Sequence, residues 1–398
     1  MNPNLARLQP YPFERLAALK AGITPPRELS HIALSIGEPR HPAPQLAVKA
    51  LTDNLAGLSQ YPPTKGSGEL RSAMATWAER RFGLAFGALD PEGQILPVTG
   101  TREALFALVQ CLVDPRTTAR VLMPNPFYQI YEGAALLAGA EPYFLNCREE
   151  NGFMPDFESV PETVWRDCQL LYLCSPGNPT GAVLPLTTLK DLIGLADRHD
   201  FVLAADECYS EIYFDEDCPP PGLLQACAEL GREDFHRCVV FHSLSKRSNL
   251  PGLRSGFVAG DRAILEDFLL YRTYHGCAMS NTVQAASLAT WNDEAHVQDN
   301  RRLYRQKFQA VLEVLTPVLE VSLPEAGFFL WPRTPLPGTD FARRLYARQN
   351  VTVLPGAYLA RDTKGGNPGH DRVRIALVAD LEECLEAARR IREFVLSL

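Results

Sequence analysis

The sequence predicts an α/β protein with an open, largely parallel sheet and a second, smaller α+β domain. Between about residues 45 and 275, short apolar runs alternate with segments of helical periodicity, as in strands joined by crossover helices. After about residue 280 this alternation gives way to two helices and then to short, separated strands. A chain of 398 residues is long enough for two domains. We therefore predict a large domain over 46–279, followed by a smaller domain that begins at 280.

Helical spacing of apolar residues, together with stop signals, predicts two helices near the N-terminus. The first covers 12–21 and is followed by Gly22, and the second covers 67–82 and is followed by Gly83. Between them, 32–36 is a short apolar strand that ends in a Gly-Glu-Pro turn. The segment 60–66 contains two prolines and excludes a helix.

The apolar runs of the central region predict the strands of the large sheet, at 94–99, 121–124, 169–174, 201–205, 238–242 and 255–260. A helix over 103–112 follows the first of them. In the last third of the chain the same reasoning predicts helices at 281–291, 295–315 and 380–398, and strands at 326–331, 351–354 and 372–376.

Composition narrows the class of partner and the compartment. The formal net charge of -8 argues against nucleic acid, although a basic pocket for an acidic substrate remains compatible with it. The N-terminus lacks an apolar signal region, and no stretch is long enough to span a membrane. The ten cysteines are scattered without metal-binding spacing, which favours free thiols in a reducing cytoplasm over a metal site or disulfides. We expect a cytoplasmic protein.

One lysine, Lys246, lies in a loop of small and hydroxyl residues between two predicted strands. A lysine that is partly desolvated near other cations loses proton affinity and becomes an amine nucleophile towards an aldehyde. Ser243, Ser245 and Arg254 surround it with hydroxyl groups and a guanidinium, which suit a phosphate. An aldehyde and a phosphate on one small molecule describe pyridoxal phosphate (PLP).

Three strand ends carry further groups with a clear chemical use. Gly100-Thr101-Arg102 turns from a strand into a helix, where free N–H groups and the helix dipole attract phosphate. Asn178 lies in a run of turn residues at a strand end, the usual ligand position in α/β sheets. Asp206 ends another strand, and a carboxylate there could keep a pyridine nitrogen protonated, although it could also be an ordinary helix cap.

The segment Ser-Leu-Ser-Lys-Arg-Ser-Asn-Leu-Pro-Gly-Leu-Arg-Ser-Gly, residues 243–256, resembles the lysine signature of the class I/II aminotransferases, which are fold-type I PLP enzymes. Its wording is most similar to the N-succinyldiaminopimelate aminotransferases of bacterial lysine biosynthesis. The resemblance extends from about residue 10 to the C-terminus. It implies that residues 1–45 join the small domain with 280–398, and that the protein is a homodimer.

The resemblance also assigns roles to individual residues. It implies that Lys246 holds PLP through its aldehyde and then moves the substrate's α-proton, with Asp206 at the pyridine nitrogen and Tyr209 at the 3′-oxygen. Asn178 would contact the same oxygen. The resemblance also implies that Tyr128 stacks on the cofactor ring, and that Tyr61 reaches across the dimer interface to the phosphate of the cofactor in the other subunit.

The substrate side of the site follows from the same resemblance. Gly37 would lie against the substrate carboxylate, near Asn178, because glycine lets backbone N–H groups approach an anion. Arg374 lies in an apolar strand, where an unpaired charge is costly, and it matches the arginine that clamps the α-carboxylate. A structural ion pair is the alternative, and Arg372, two residues away on the same predicted strand face, is the competing clamp.

The activity implied is ping-pong transamination, with glutamate as amino donor and N-succinyl-2-amino-6-oxopimelate as acceptor. Arg40 and Lys65 are candidates for reading the distal carboxylates of that acceptor. An aminotransferase for aspartate, aromatic amino acids or alanine would share the cofactor residues. So would a PLP-dependent carbon–sulfur lyase, an aminocyclopropane carboxylate synthase or a PLP-sensing transcriptional regulator, and about ten residues before the family-like region leave little room for a regulator's DNA-binding module.

Overall fold

The computed structural model describes residues 1–398 and contains twelve strands and fourteen α-helices. The strands are β1 Ile32–Ala33, β2 Ile95–Val98, β3 Arg120–Asn125, β4 Glu141–Asn146, β5 Cys168–Cys174, β6 Val202–Asp206, β7 Cys238–Ser243, β8 Gly256–Gly260, β9 Phe329–Leu330, β10 Val351–Thr352, β11 Leu354–Pro355 and β12 Val373–Ala376. The helices are α1 Pro12–Lys20, α2 Gln45–Asp53, α3 Gly68–Phe82, α4 Thr101–Leu112, α5 Ile130–Ala138, α6 Glu162–Arg166, α7 Leu186–His199, α8 Leu223–Glu229, α9 Leu244–Arg247, α10 Arg262–His275, α11 Asn281–Trp291, α12 Ala295–Leu315, α13 Gly338–Gln349 and α14 Leu381–Leu396. No helix combines the length and the apolar character needed to cross a bilayer.

The large sheet has seven strands in the order β2-β8-β7-β6-β5-β3-β4. All neighbouring pairs are parallel except those that involve β8, which runs antiparallel to β2 and β7. Apolar cores pack on both faces of this sheet, which is why its strands read as nearly continuous hydrophobic runs. The predicted α/β class with a mostly parallel sheet is confirmed.

Helix boundaries follow the capping signals in the sequence. Ser67 accepts a hydrogen bond from the Leu70 N–H at the start of α3, and Gly83 ends that helix in the left-handed conformation. Asp380 caps α14 in the same way, accepting from the Glu383 N–H. The helices predicted at 281–291 and 295–315 have those bounds in the structure.

The smaller unit is built around the antiparallel sheet β11-β12-β9, with α12 and α14 packed together beside it. The N-terminal segment joins this unit, since β1 pairs in parallel with β10. Two predicted strands were too long: the strand in the 32–36 segment ends at Ala33, and within 326–331 the strand covers only Phe329–Leu330, while Ala326 makes an isolated bridge with Tyr213. Leu34 still exchanges backbone hydrogen bonds with Thr352 and Ala376, and the next carbonyl, that of Ser35, accepts from Arg374.

Helix α11 packs against α2 and α3, and its Trp291 is buried in the core of the large sheet. This packing places α11 beside the large unit, although the predicted boundary falls at 279/280. The division into 46–279 and 1–45 with 280–398 stays a prediction, and the contacts of α11 favour a boundary after Trp291.

Candidate active site

A cavity of about 390 Å³ lies between the carboxyl ends of the large-sheet strands and the smaller unit. Its walls contain most of the sequence-predicted site residues: Gly37, Thr101, Arg102, Tyr128, Asn178, Asp206, Tyr209, Ser243, Lys246, Arg254 and Arg374. They meet there because the carboxyl ends of parallel strands β5, β6 and β7 share one edge, and the antiparallel strand β8 begins at that edge.

Lys246 is held on the single-turn helix α9, which Ser243 caps by accepting from the Ser245 N–H at 3.1 Å. Its Nζ donates to the Gly37 carbonyl oxygen at 2.5 Å. Burial lowers the pKa of Lys246 to about 8, with Cys208 and Glu38 acting against the shift and Arg374 and Arg254 adding to it. An amine with this pKa is half deprotonated near pH 8, where an ordinary lysine is almost entirely protonated.

Asp206 ends β6 and is almost fully buried. Tyr131 Oη donates to its Oδ2 at 2.7 Å, and the Cys208 N–H donates to Oδ1 at 3.3 Å. Burial raises the pKa of Asp206, and these hydrogen bonds from Cys208 and Tyr131 oppose the rise. A buried carboxylate in the wall of this cavity can accept from, and pair with, a protonated ring nitrogen.

Tyr131 was missed in the sequence. It follows the recognised Tyr128 by three residues, so both rings lie on one side of the start of α5, and its ring stacks on Tyr172 with centroids 4.3 Å apart. This i,i+3 spacing from an expected site residue was the available signal.

The turn at Gly100 and the loop around Ser243 and Arg254 form one polar cradle. Gly100 has φ 86°, and a Cβ there would lie 2.1 Å from Arg254 Nη2, so only glycine lets the guanidinium pack against this turn. Ser243 Oγ donates to the Ser255 carbonyl oxygen at 3.4 Å. With Thr101 at the first turn of α4, the cradle offers hydroxyl, guanidinium and backbone N–H donors, the set that a phosphate requires.

Arg374 is a buried cation without a carboxylate partner in the chain. Its Nη1 donates to Asn178 Oδ1 at 3.0 Å, its Nη2 donates to the Ser35 carbonyl oxygen at 2.7 Å, and its Nε has no partner. The guanidinium lies 4.4 Å from the centroid of the Phe329 ring. Burial lowers the pKa of Arg374 to about 10. Such a group fits an incoming carboxylate.

The competing arginine, Arg372, faces elsewhere. It precedes β12, donates from Nη1 to the Trp331 carbonyl oxygen at 2.9 Å, and donates from Nη2 to Glu149 Oε2 at 2.8 Å. It therefore has an internal ion pair and lines a different cavity. Although they are only two residues apart, the two arginine side chains line different cavities.

Gly37 and Tyr209 complete the side of the cavity nearest the smaller unit. A Cβ at Gly37 would lie 2.7 Å from the Phe329 ring, which explains the glycine. The buried Tyr209 ring packs edge-on against Phe328 and Phe329, at centroid distances of 5.3 and 5.7 Å. Phe329 itself lines the cavity and was not singled out in the sequence.

Arg102 lies between two tyrosines at the cavity. Its Nε donates to Tyr128 Oη at 2.6 Å, and its Nη2 donates to Tyr11 Oη at 2.9 Å. Tyr11 is a further lining residue that the sequence did not reveal, since nothing local connects residue 11 with α4.

Tyr61, Arg40 and Lys65 also lie outside this cavity. Tyr61 is fully exposed on the surface of the single chain. Arg40 pairs with Glu383 at 3.2 Å, and Lys65 pairs with Glu92 at 2.9 Å. Neither of these two cations faces the site, so the interpretation that they read a substrate in this cavity loses its structural basis.

Comparisons with known proteins agree with this architecture. The family model described as aminotransferase class I and II matches residues 30–391. An aminotransferase structure from Neisseria meningitidis has a TM-score of 0.94 and 51% identity, with 98% of this chain and 99% of that chain covered. The LL-diaminopimelate aminotransferase of Nitratidesulfovibrio vulgaris is 32% identical over 393 residues, with 97% of each chain covered. A probable N-succinyldiaminopimelate aminotransferase from Thermus thermophilus is 31% identical, with a TM-score of 0.84 and coverage of 96% and 100%.

The chain belongs to the class I and II aminotransferases, and its fold is that of fold-type I. Enzymes of this family use pyridoxal 5′-phosphate and act on small amino and keto acids. The residues present fit the cofactor: the Gly100–Arg254 cradle suits its phosphate, Asp206 suits its ring nitrogen, and Lys246 offers the amine for its aldehyde.

Proposed function

We propose that Lys246 is the residue that carries the cofactor and transfers the substrate's α-proton, with Asp206 and Tyr209 as its catalytic partners. The observation behind this is the position of the Lys246 amine, buried in the cavity with a pKa lowered to about 8. In the cofactor-free protein, PLP attachment followed by borohydride trapping should therefore have a pH midpoint near 8. A midpoint near 10.4, the ordinary lysine value, would contradict the proposal.

The remaining site residues bind the cofactor or orient the substrate. When bound, PLP supplies the aldehyde that accepts the amino group and the ring that takes up the electron pair of the α-carbon. Asp206 holds the proton at the ring nitrogen, and Tyr209 and Asn178 bind the ring oxygen. Ser243, Arg254, Gly100 and Thr101 bind the phosphate, while Tyr128 packs against the ring. Arg374 and Gly37 orient the substrate carboxylate so that its α-proton faces Lys246 Nζ.

For the substrate, we propose glutamate as amino donor and N-succinyl-2-amino-6-oxopimelate as acceptor. Relatives at 31–32% identity support a substrate with the diaminopimelate carbon chain. One of them is named as an LL-diaminopimelate aminotransferase and the other as a probable N-succinyldiaminopimelate aminotransferase. Transamination of unacylated LL-diaminopimelate is therefore the second candidate. Both share a carboxylate remote from the reacting carbon.

Arg102 is the cavity cation best placed to read that remote carboxylate. It was first interpreted as a phosphate contact, but its guanidinium is directed to the hydroxyls of Tyr11 and Tyr128. An Arg102→Met variant separates the two roles. If Arg102 reads substrate, rates with diaminopimelate compounds should fall more than rates with glutamate. If it binds phosphate, all rates should fall together and the Kd of PLP should rise.

A half-reaction screen tests the activity directly. Purified holoenzyme is mixed with glutamate, LL-diaminopimelate, N-succinyl-LL-diaminopimelate, aspartate, alanine or phenylalanine, and the change of the visible cofactor band is followed. A fast change with the succinylated compound and glutamate supports the proposal, and a preference for unacylated LL-diaminopimelate selects the second candidate. Cystathionine, added as a sulfur-containing substrate, tests the lyase alternative, since release of pyruvate, ammonia and a thiol from it would indicate a carbon–sulfur lyase.

We also propose a homodimer, with Tyr61 reaching the partner's cofactor phosphate, in the cytoplasm. The segment before Tyr61 exposes Val48, Leu55 and Leu58, an apolar strip suited to a second copy of the chain. Asn281 fixes this segment by donating to the Gly57 and Gln60 carbonyl oxygens, both at 3.4 Å.

Subunit mixing tests whether the sites are shared. Tyr61→Phe subunits are combined with Lys246→Ala subunits and allowed to exchange. A shared site predicts one intact and one doubly altered site in each mixed dimer, so activity should exceed that of the Tyr61→Phe homodimer. No gain after proven exchange would show that each site is complete within one chain.

A further inference from the structure

A buried amide lies behind the lysine, on the side away from the cavity. Asn300, on α12, is 2% exposed and uses all four of its hydrogen-bonding positions. Its Nδ2 donates to the carbonyl oxygens of Lys246 and Arg247, both at 3.4 Å. Its Oδ1 accepts from Asn249 Nδ2 at 3.0 Å and from His41 Nδ1 at 2.7 Å.

This bonding pattern fixes the state of His41. The amide nitrogen of Asn300 must face the two carbonyl oxygens, which can only accept, so its oxygen faces the imidazole. His41 Nδ1 therefore carries the hydrogen, and Nε2 is free to accept from Lys307 Nζ at 2.6 Å. Burial lowers the pKa of His41 to about 4, with Lys307 adding to the shift, so the ring stays neutral.

This chain of hydrogen bonds contacts two segments near the Lys246 amine. At one end, Asn300 binds the backbone carbonyls of Lys246 and Arg247. At the other end it binds His41, the last residue of the loop 35–41. That loop supplies the carbonyl oxygen of Gly37 to Lys246 Nζ and the carbonyl oxygen of Ser35 to Arg374.

We propose that Asn300, through His41, is a positioning residue for transamination: it sets the Lys246 backbone and the 35–41 loop at a fixed separation. This inference rests on the proposed role of Lys246. Asn300 touches neither cofactor nor substrate, and it acts through the groups that do. Displacement of a reacting group by about 1 Å can cost on the order of a hundredfold in rate.

The test uses Asn300→Ala and His41→Phe holoenzymes. We expect Asn300→Ala to lower kcat of the glutamate half-reaction by about tenfold to a hundredfold, with little change in the Kd of PLP, because the phosphate cradle is untouched. His41→Phe keeps a ring beside Tyr304 and is the variant to rely on if Asn300→Ala fails to fold. It should lower kcat in the same direction.

Two further readouts exclude a merely structural role. In the cofactor-free His41→Phe protein, amides of 35–41 should exchange hydrogen faster, while the middle of α12 keeps its protection. In the Asn300→Ala/His41→Phe double variant, kcat should fall by less than the product of the two single-variant factors, because both changes break the same chain of hydrogen bonds.

Matched controls lie on the same helix. Arg301→Leu breaks the pairs of the buried Arg301 guanidinium with Glu211 and with the more exposed Glu216, and Tyr304→Phe removes a buried hydroxyl that has no partner. Arg301→Leu should lower the Tm and leave kcat unchanged, and Tyr304→Phe should change neither. Normal kcat in folded His41→Phe or Asn300→Ala enzyme would overturn the inference, whereas normal activity of Lys246→Ala would overturn the proposed function itself.

Discussion

The two walls of the active-site cavity are assembled in different ways. The wall formed by the large sheet carries Asn178, Asp206 and Lys246 on or just after the ends of three neighbouring strands. The opposite wall joins distant parts of the chain, as in the hydrogen bond between Arg374 and Ser35, which are 339 residues apart. The first wall follows from local sequence and sheet geometry, and the second depends on how the smaller unit folds back onto the sheet.

This difference suggests that substitutions in the sheet wall affect the chemistry, whereas substitutions in the opposite wall affect substrate orientation. Four variants test the distinction, in order of expected effect.

Lys246→Ala should have the largest effect. Loss of the amine that we propose as the proton-transferring group should lower the rate roughly 10²–10⁴-fold, and the visible cofactor band should disappear. The chain should stay folded, because the side chain makes one hydrogen bond, to the Gly37 carbonyl oxygen. Circular dichroism and single-turnover kinetics measure the two properties. Lys65→Ala, at an exposed ion pair outside the cavity, is the control and should behave as wild type. Normal turnover by Lys246→Ala would show that the wall formed by the large sheet does not supply the proton-transferring group.

Arg374→Lys tests the opposite wall. The lysine keeps the charge but loses the planar fork, so kcat/KM should fall by about a hundredfold in both half-reactions, because one pocket serves donor and acceptor. Arg372→Lys is the matched control on the same segment. It disturbs the contacts with Trp331 and Glu149, so it should lower the Tm while kcat/KM stays close to the wild-type value. If Arg372→Lys is the more damaging to catalysis, the clamp is misassigned.

Asp206→Asn should bind PLP but slow α-proton removal, on the order of a hundredfold, since the amide does not stabilise a protonated ring nitrogen. Stopped-flow measurement of the half-reaction, with the Kd of PLP determined in parallel, separates chemistry from binding. A near-normal rate would reduce Asp206 to a residue that only caps the turn through the Cys208 N–H.

Tyr131→Phe should have the smallest effect, about tenfold or less in kcat. The phenol donates to the Asp206 carboxylate and so favours its ionised form. Without it, the pKa of Asp206 should rise further, and activity that requires the carboxylate should be lost at a higher pH as the pH falls. The acid limb of the kcat profile is the measurement. An unchanged acid limb would show that Tyr131 acts only through packing against Tyr172.

Local sequence was sufficient for six of the seven strands of the large sheet and for the residues at their ends. It missed the edge strand β4, whose residues are mostly only half-buried. Continuous apolar runs, separated by segments of helical periodicity, located β5, β6 and β7. Parallel strands necessarily bring their carboxyl ends to one edge of the sheet. The capping residues Ser67 and Asp380 likewise fixed helix starts, because the capping oxygen bonds an N–H only two or three residues away.

What only the tertiary structure decided are contacts between remote segments. Arg372 and Arg374 have different partners from remote segments: Glu149, more than 200 residues earlier in the chain, binds Arg372, whereas Ser35 and Asn178 bind Arg374. Tyr11 meets Arg102, and Asn300 meets both His41 and Lys246, through side chains brought together by the packing of two units. Sequence alone was enough to locate candidate site residues at the strand ends, because the alternation of strands and crossover helices predicts parallel strands whose carboxyl ends share one edge. It left open the orientation of the buried polar side chains, because each of them bonds to a partner that folding brings from a distant part of the chain.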